Sequence, residues 1–205
     1  MSEYVTGIST WHSMQKRIFD LFFSAIGLMC LWWLILLAAL VARIDTGLNG
    51  FFVQQRVGRN GRLFRVIKIR TMKPVANIDT TVTTDNDARI TAIGRFLRKA
   101  KIDELPQLIN VFLGDMSFVG PRPDVPGFAD QLTGDQRAIL SIRPGITGPA
   151  TLRYRDEERI LASVDDPEQY NREVIFPDKV RLNLEYIKNY SLTNDLKYIL
   201  LTIFG

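Results

Sequence analysis

The sequence predicts an α+β fold, with an N-terminal membrane-inserted helix followed by a mostly helical domain that carries a small β-hairpin. Three observations predict it. Leu21 to Ala42 is an apolar run of 22 residues without a charge. Two segments rich in Val, Ile and Phe flank an Asn60-Gly61 turn. Later segments place apolar residues at three- and four-residue spacing, the period of a helix with one buried face. The chain has 205 residues, enough for one domain of ordinary size with an appendage.

As a helix the apolar run is about 33 Å long, sufficient for a hydrocarbon core of about 30 Å. A buried core helix would keep some polar face, and this run has none. A cleaved leader is not expected, given the length of the run and Arg43-Ile44-Asp45, which is no small-residue cleavage site. The resulting boundaries are a flexible N-terminus over 1–13, a membrane-inserted helix over 14–45 and the main domain over 46–205. Lys16 and Asp20 are four apart and share a helix face, where they are expected to mark the headgroup boundary.

The hairpin pairs Phe51–Val57 with Leu63–Met72, because Asn-Gly accepts the positive φ of a tight turn. From Phe51 to Lys73 there are seven basic residues and no acid, among them Arg56, Lys68 and Arg70. Two readings of this run stand open: a surface facing anionic headgroups, or a binding site for phosphate. Pro74 to Asn86 reads as a mobile Thr-rich loop. Helices are expected over Asp87–Ala100 and Asp103–Leu113, the second with Pro106 in its first turn and Gly114 as its stop. Gly120-Pro121-Arg122-Pro123 and Arg143-Pro144-Gly145 read as stiff turns. Pro177–Asn189 and Leu196–Phe204 complete the helices, the last capped by Thr193-Asn194-Asp195.

Composition removes whole classes of chemistry. Apolar residues make up 46% and charged residues 23%, which excludes a disordered chain. One Cys and one His exclude an internal disulfide and a Cys/His zinc site. A hydrolytic triad could use only His12, in a polar N-terminal stretch. The net charge of +4 points to anionic partners.

Asp103 and Glu104 are the residues with chemical promise. A carboxylate at a helix N-terminus is usually a cap. Here Arg98, Lys99 and Lys101 precede the pair, and Arg122 follows in a stiff turn. A helix N-terminus attracts phosphate. An ionised carboxylate beside phosphate can attack phosphorus, and a neighbouring one can hold a divalent cation. The residues permit phosphoryl transfer without demanding it.

The segments KIRTM (Lys68–Met72), IDELPQLINVFLGDMSFVGPRP (Ile102–Pro123) and RPGITG (Arg143–Gly148), following KRIFD (Lys16–Asp20), resemble the signatures of the bacterial sugar transferase family. The resemblance covers residues 14–205. It implies a monotopic phosphoglycosyl transferase that moves a phosphosugar from a nucleoside diphosphate sugar, usually a UDP-sugar, to polyprenyl phosphate and releases UMP. It further implies Mg²⁺, a covalent intermediate, Asp103 as nucleophile and Glu104 as the metal ligand. Lys68, Arg98 and Arg122 match positions that contact phosphate, and Arg143 is a weaker match that either binds nucleotide or shapes its turn. The implied location is a bacterial inner membrane, with the catalytic domain and its interfacial helices on the cytoplasmic face. The lipid bilayer is then a partner and nucleic acid is not.

The resemblance also implies a re-entrant membrane helix. Small members often break it with Ser-Pro, and this chain has Trp32-Trp33 there. Tryptophan prefers the interface, so the pair is expected to mark a turn, with Ser24 and Gly27 as weak points nearby. Past Gly148 the chain resembles a subgroup with an added helical region that shapes the sugar pocket. The rival reading is a membrane-anchored basic module for anionic lipid or nucleic acid, which leaves Asp103-Glu104 beside Gly-Pro-Arg-Pro unexplained.

Overall fold

The computed structural model describes residues 7–75, 83, 84 and 87–205. The first six residues of the expected flexible terminus and most of the Thr-rich loop lie outside that range. The architecture is α+β. Helix α1 runs from Thr10 to Thr46. Strands β1 (Phe51–Val57) and β2 (Leu63–Ile69) form the expected antiparallel hairpin, with Phe52 opposite Lys68. Then come α2 (Ala92–Lys99), α3 (Gln107–Leu113), β3 (Ser117–Val119) and β4 (Gly145–Thr147). Four short or medium helices follow, α4 (Pro149–Arg153), α5 (Glu157–Ala162), α6 (Pro167–Tyr170) and α7 (Phe176–Lys188), before the last, α8 (Leu192–Phe204).

Helix α1 starts at Thr10 because the Ser9 side chain caps it, accepting from the His12 N–H. It continues without a break through Trp32 and Trp33 to the left-handed Gly47. The expected turn at Trp32-Trp33 therefore does not form. Without proline, every interior N–H keeps its partner four residues back, and releasing those bonds in lipid is costly. Both ends of α1 nevertheless rest on the same domain. Near its start, the Arg17 guanidinium donates to the Val111 and Phe112 carbonyls at the end of α3. Near its end, Ala38, Ala39 and Ala42 pack with Ile69 and Leu97. The contact there is close: a Cβ on Gly50 would lie 1.8 Å from the Ala39 carbonyl oxygen.

The opposite side of α1 is an unbroken apolar stripe that includes Ile18, Phe22, Met29, Leu36, Leu40 and Ile44, with Trp32 58% and Trp33 54% exposed. A patch of this extent on one helix marks a membrane contact. Lys16 and Asp20 do not sit at a headgroup boundary. Both are buried on the inner face, Lys16 against Asp195 of α8 and Asp20 accepting from Ser117 Oγ (3.0 Å) and the Phe118 N–H (3.1 Å).

Three other elements differ from expectation. Helix α2 begins at Ala92, capped by Thr91, because Met72 and Ile90 first form a β-bridge. Asp103 and Glu104 lie in a separate 3₁₀ turn over Ile102–Glu104, ahead of α3. Pro106 has no N–H to return to Ile102, so the α-helix cannot start earlier. β3 and β4 form a parallel pair, with Ser117 opposite Gly145 and Val119 opposite Thr147. That pair joins the two stiff turns, the Gly145 N–H donating to the Pro121 carbonyl at 2.8 Å. Helix α8 starts at Leu192 under a Ser191 cap, which places Asp195 inside the helix and turned to the core.

Candidate active site

Lys68 near the end of β2, the 3₁₀ turn and the Gly-Pro-Arg-Pro segment converge on Glu104. Its Oε1 accepts from Lys68 Nζ and from Arg122 Nη2, each at 2.9 Å. Burial raises the Glu104 pKa, but Arg122, Lys68 and Lys101 outweigh it and hold the carboxyl well below the usual range. The same contact raises the Arg122 pKa. Lys68 is shifted down by burial, which the neighbouring Glu104 only partly offsets. The turn is aimed by Lys101, a non-glycine residue in the left-handed region at φ 57°. Such a conformation is costly for a side-chain-bearing residue and is kept where surrounding contacts enforce it.

Asp103 is 7% exposed. Its Oδ1 is buried and makes no hydrogen bond. Burial and the adjacent Glu104 push its pKa up, while Lys68, Arg98 and Lys101 pull it down. Arg98 faces the same region: its Nη2 donates to Glu158 Oε1 of α5 at 2.7 Å, and its buried Nη1 has no partner. An unpaired buried acceptor and donor around one carboxylate pair are exceptions that need a reason. A phosphoryl group between them supplies one, with oxygens for the guanidinium and phosphorus for the carboxylate.

The structure thus brings together Lys68, Arg98, Asp103, Glu104 and Arg122. Arg143 is elsewhere. Its Nε donates to the Gly114 carbonyl at 2.8 Å, and the charges near it are Arg17, Arg59 and Asp20. The reason is the parallel pair: Arg122 follows the C-terminal end of β3, whereas Arg143 precedes the N-terminal end of β4.

Two neighbours were not singled out from the sequence. Arg56 of β1 was visible only as a member of the basic run. It bonds Gln54 Oε1 (2.7 Å) and the Pro123 carbonyl (3.2 Å), which fixes the segment that carries Arg122. Burial and Arg122 lower its pKa to about 10. Glu158 lies 60 residues beyond Arg98 and carried no local signal.

Among the described residues no group of three or more His, Cys, Asp or Glu is placed to hold a metal ion. Asp103 and Glu104 fit Mg²⁺ all the same, because this ion takes one or two carboxylates and completes its shell with water and substrate phosphate. Both cations contact Glu104 through Oε1, so Oε2 is the oxygen suited to a metal.

Comparison with known proteins gives the family. The family model described as bacterial sugar transferase matches residues 11–205. An undecaprenyl-phosphate glucose phosphotransferase of Komagataeibacter xylinus is 38% identical over 204 residues, covering 96% of this chain and 36% of its own length. The UDP-glucose:undecaprenyl-phosphate glucose-1-phosphate transferase of Escherichia coli is 34% identical, covering 98% of this chain and 42% of its own length. The chain thus spans less than half of each of these two relatives. A sugar transferase of Bacillus subtilis, EpsL, is 35% identical and is covered over 85% of its length. The chain belongs to the bacterial sugar transferase family.

Proposed function

We propose that the chain transfers a phosphosugar from a UDP-sugar to polyprenyl phosphate, undecaprenyl phosphate being the acceptor in the names of its relatives. The observation that carries this reading is the buried, unpartnered Asp103 Oδ1 beside Glu104, Lys68, Arg98 and Arg122. In the first displacement Asp103 attacks the sugar-linked phosphorus and UMP leaves with the bridging oxygen. In the second, an oxygen of polyprenyl phosphate attacks the same phosphorus and the carboxylate is released. The products are polyprenyl-diphospho-sugar and UMP. Lys68, Arg98 and Arg122 hold the phosphates and offset their charge. Mg²⁺, when bound at Glu104, neutralises further phosphate charge.

The test is UMP release from a panel of UDP-sugars by the detergent-extracted chain with undecaprenyl phosphate. Without acceptor, mass spectrometry should find a phosphosugar adduct on Asp103. No release from any donor would overturn the reading. A basic lipid- or nucleic-acid-binding module would instead show only affinity that falls steeply with salt. The metal assignment makes its own prediction. EDTA should abolish turnover and added Mg²⁺ should restore it, while Glu104→Gln should raise the Mg²⁺ concentration needed for half-maximal rate by at least about tenfold. Full activity in EDTA would remove the metal from the mechanism.

We further propose that the protein sits on the cytoplasmic face of a bacterial inner membrane, with the apolar stripe of α1 in one leaflet. Support comes from the contacts at both ends of α1, which hold it along the domain that binds the nucleotide sugar. A Thr10→Cys, Cys30→Ala variant should resist a membrane-impermeant thiol reagent in intact cells and react after lysis. Labelling of intact cells would show a spanning helix.

A further inference from the structure

Asp124 follows Arg122 by two residues. Its backbone is fixed: the Asp124 carbonyl accepts from the Val57 N–H at 2.9 Å, and Pro123 is held by Arg56. The charges within electrostatic reach of its carboxylate are Lys179, Arg56, Glu157 and Arg122. Those cations are engaged by other acceptors. Lys179 gives its ammonium to both oxygens of Glu157, at 2.7 and 2.6 Å. Arg56 bonds Gln54 and Pro123, and Arg122 bonds Glu104. Among the described residues the Asp124 carboxylate makes no hydrogen bond and no ion pair within 4 Å. Asp124 is half-buried and its oxygens are not sealed from solvent, so the unpaired carboxylate stays open to a bound molecule. Burial also raises its pKa to about 6, so it stays ionised at neutral pH at some cost to the fold.

We infer that Asp124 is a positioning residue for the donor and accepts hydrogen bonds from its neutral hydroxyl groups. Charge dictates the class of ligand. An anion would be repelled by Asp124 itself and by Glu157 beside it. A hydroxyl donates without bringing charge. The inference rests on the proposed function. A nucleotide sugar centred on Asp103 and Arg122 carries hydroxyls on both flanks of its diphosphate, on the pyranose and on the ribose. The wall around Asp124 comes from Glu157 of α5 and Lys179 of α7, in the region past Gly148 where the chain resembles a distinct subgroup.

The experiment compares wild type, Asp124→Ala and Asp124→Asn as full-length chain in detergent, with UDP-glucose and undecaprenyl phosphate. Where UDP-glucose is not turned over, the UDP-sugar that releases most UMP replaces it. Asp124→Ala should raise KM for the donor at least roughly tenfold while kcat changes less than about threefold, since a contact made equally to bound substrate and transition state appears in KM. Asp124→Asn, which keeps one acceptor oxygen, should fall between them. Product inhibition by UMP separates the two hydroxyl sources. An unchanged Ki assigns the contact to the pyranose, and a Ki raised in parallel with KM assigns it to the ribose. An unchanged KM, or a fall in kcat alone, would overturn the inference. If Asp124→Ala does not fold, as judged by its melting temperature, Asp124→Asn carries the same test. A wild type that turns over no UDP-sugar would instead overturn the functional reading, and the assignment of Asp124 with it.

Discussion

Asp103→Asn is expected to remove turnover by at least about a thousandfold, equivalent to roughly 4 kcal/mol of transition-state stabilisation. The amide matches the carboxylate in size but is a poor nucleophile, so the first displacement fails and no phosphosugar adduct forms. The variant should still fold, and stability is the informative control. The Asp103 pKa is raised in the folded state by burial and by Glu104. The folded protein therefore favours the protonated form more than the unfolded chain does. This unfavourable contribution is full above the raised pKa. It shrinks as pH falls through that pKa and vanishes below the ordinary aspartate value. Asp103→Asn should thus melt at or above wild type at pH 7, and the difference should narrow on acidification. An inactive variant that also melts much lower would point to a structural role. Retained activity would defeat the nucleophile assignment. A carboxylate whose ionised form is disfavoured by its surroundings fits a site where function is maintained at the expense of stability.

Much of the frame was legible in the sequence because its signals are local. The α1 apolar run, the Asn60-Gly61 turn and the Pro177 start of α7 each declare themselves within a few residues. So did the grouping of Asp103 and Glu104 with basic residues and a stiff Arg122. The rest depended on distant pairings. Three-residue strands such as β3 and β4 are too short to show alternation, so two Gly-Pro turns concealed a parallel pair. That omission left both readings of Arg143 standing, since only the direction of the strands shows that Arg122 and Arg143 lie at opposite ends. Trp32-Trp33 read as a turn on the family resemblance and on residue preference. The continuous helix shows that backbone hydrogen bonding decides the matter once proline is absent. Lys16 and Asp20 read as an exposed i,i+4 pair, although their partners are Asp195, Ser117 and Phe118, nearly a hundred residues away or more.

Lys16→Met is expected to cost about 3–5 kcal/mol, the usual penalty for stranding one member of a buried ion pair. Lys16 is 5% exposed and Asp195 is 1% exposed, so water cannot compensate either charge. Tyr186 donates its hydroxyl to Asp195 Oδ1 at 2.6 Å, which satisfies one oxygen but does not neutralise the carboxylate. For a chain of this size the loss corresponds to a fall in melting temperature of about 6–20 °C. A solvated surface pair would cost less than about 1 kcal/mol, so the two cases are well separated. The double variant Lys16→Met, Asp195→Asn removes both charges and keeps an acceptor for Tyr186. It should therefore melt above Lys16→Met alone. Thermal unfolding of the detergent-extracted chains makes the comparison. A Lys16→Met variant that melts within about 2 °C of wild type would mean that the membrane helix is not fastened to α8 through this pair, and would return Lys16 to the lipid boundary where the sequence alone had put it.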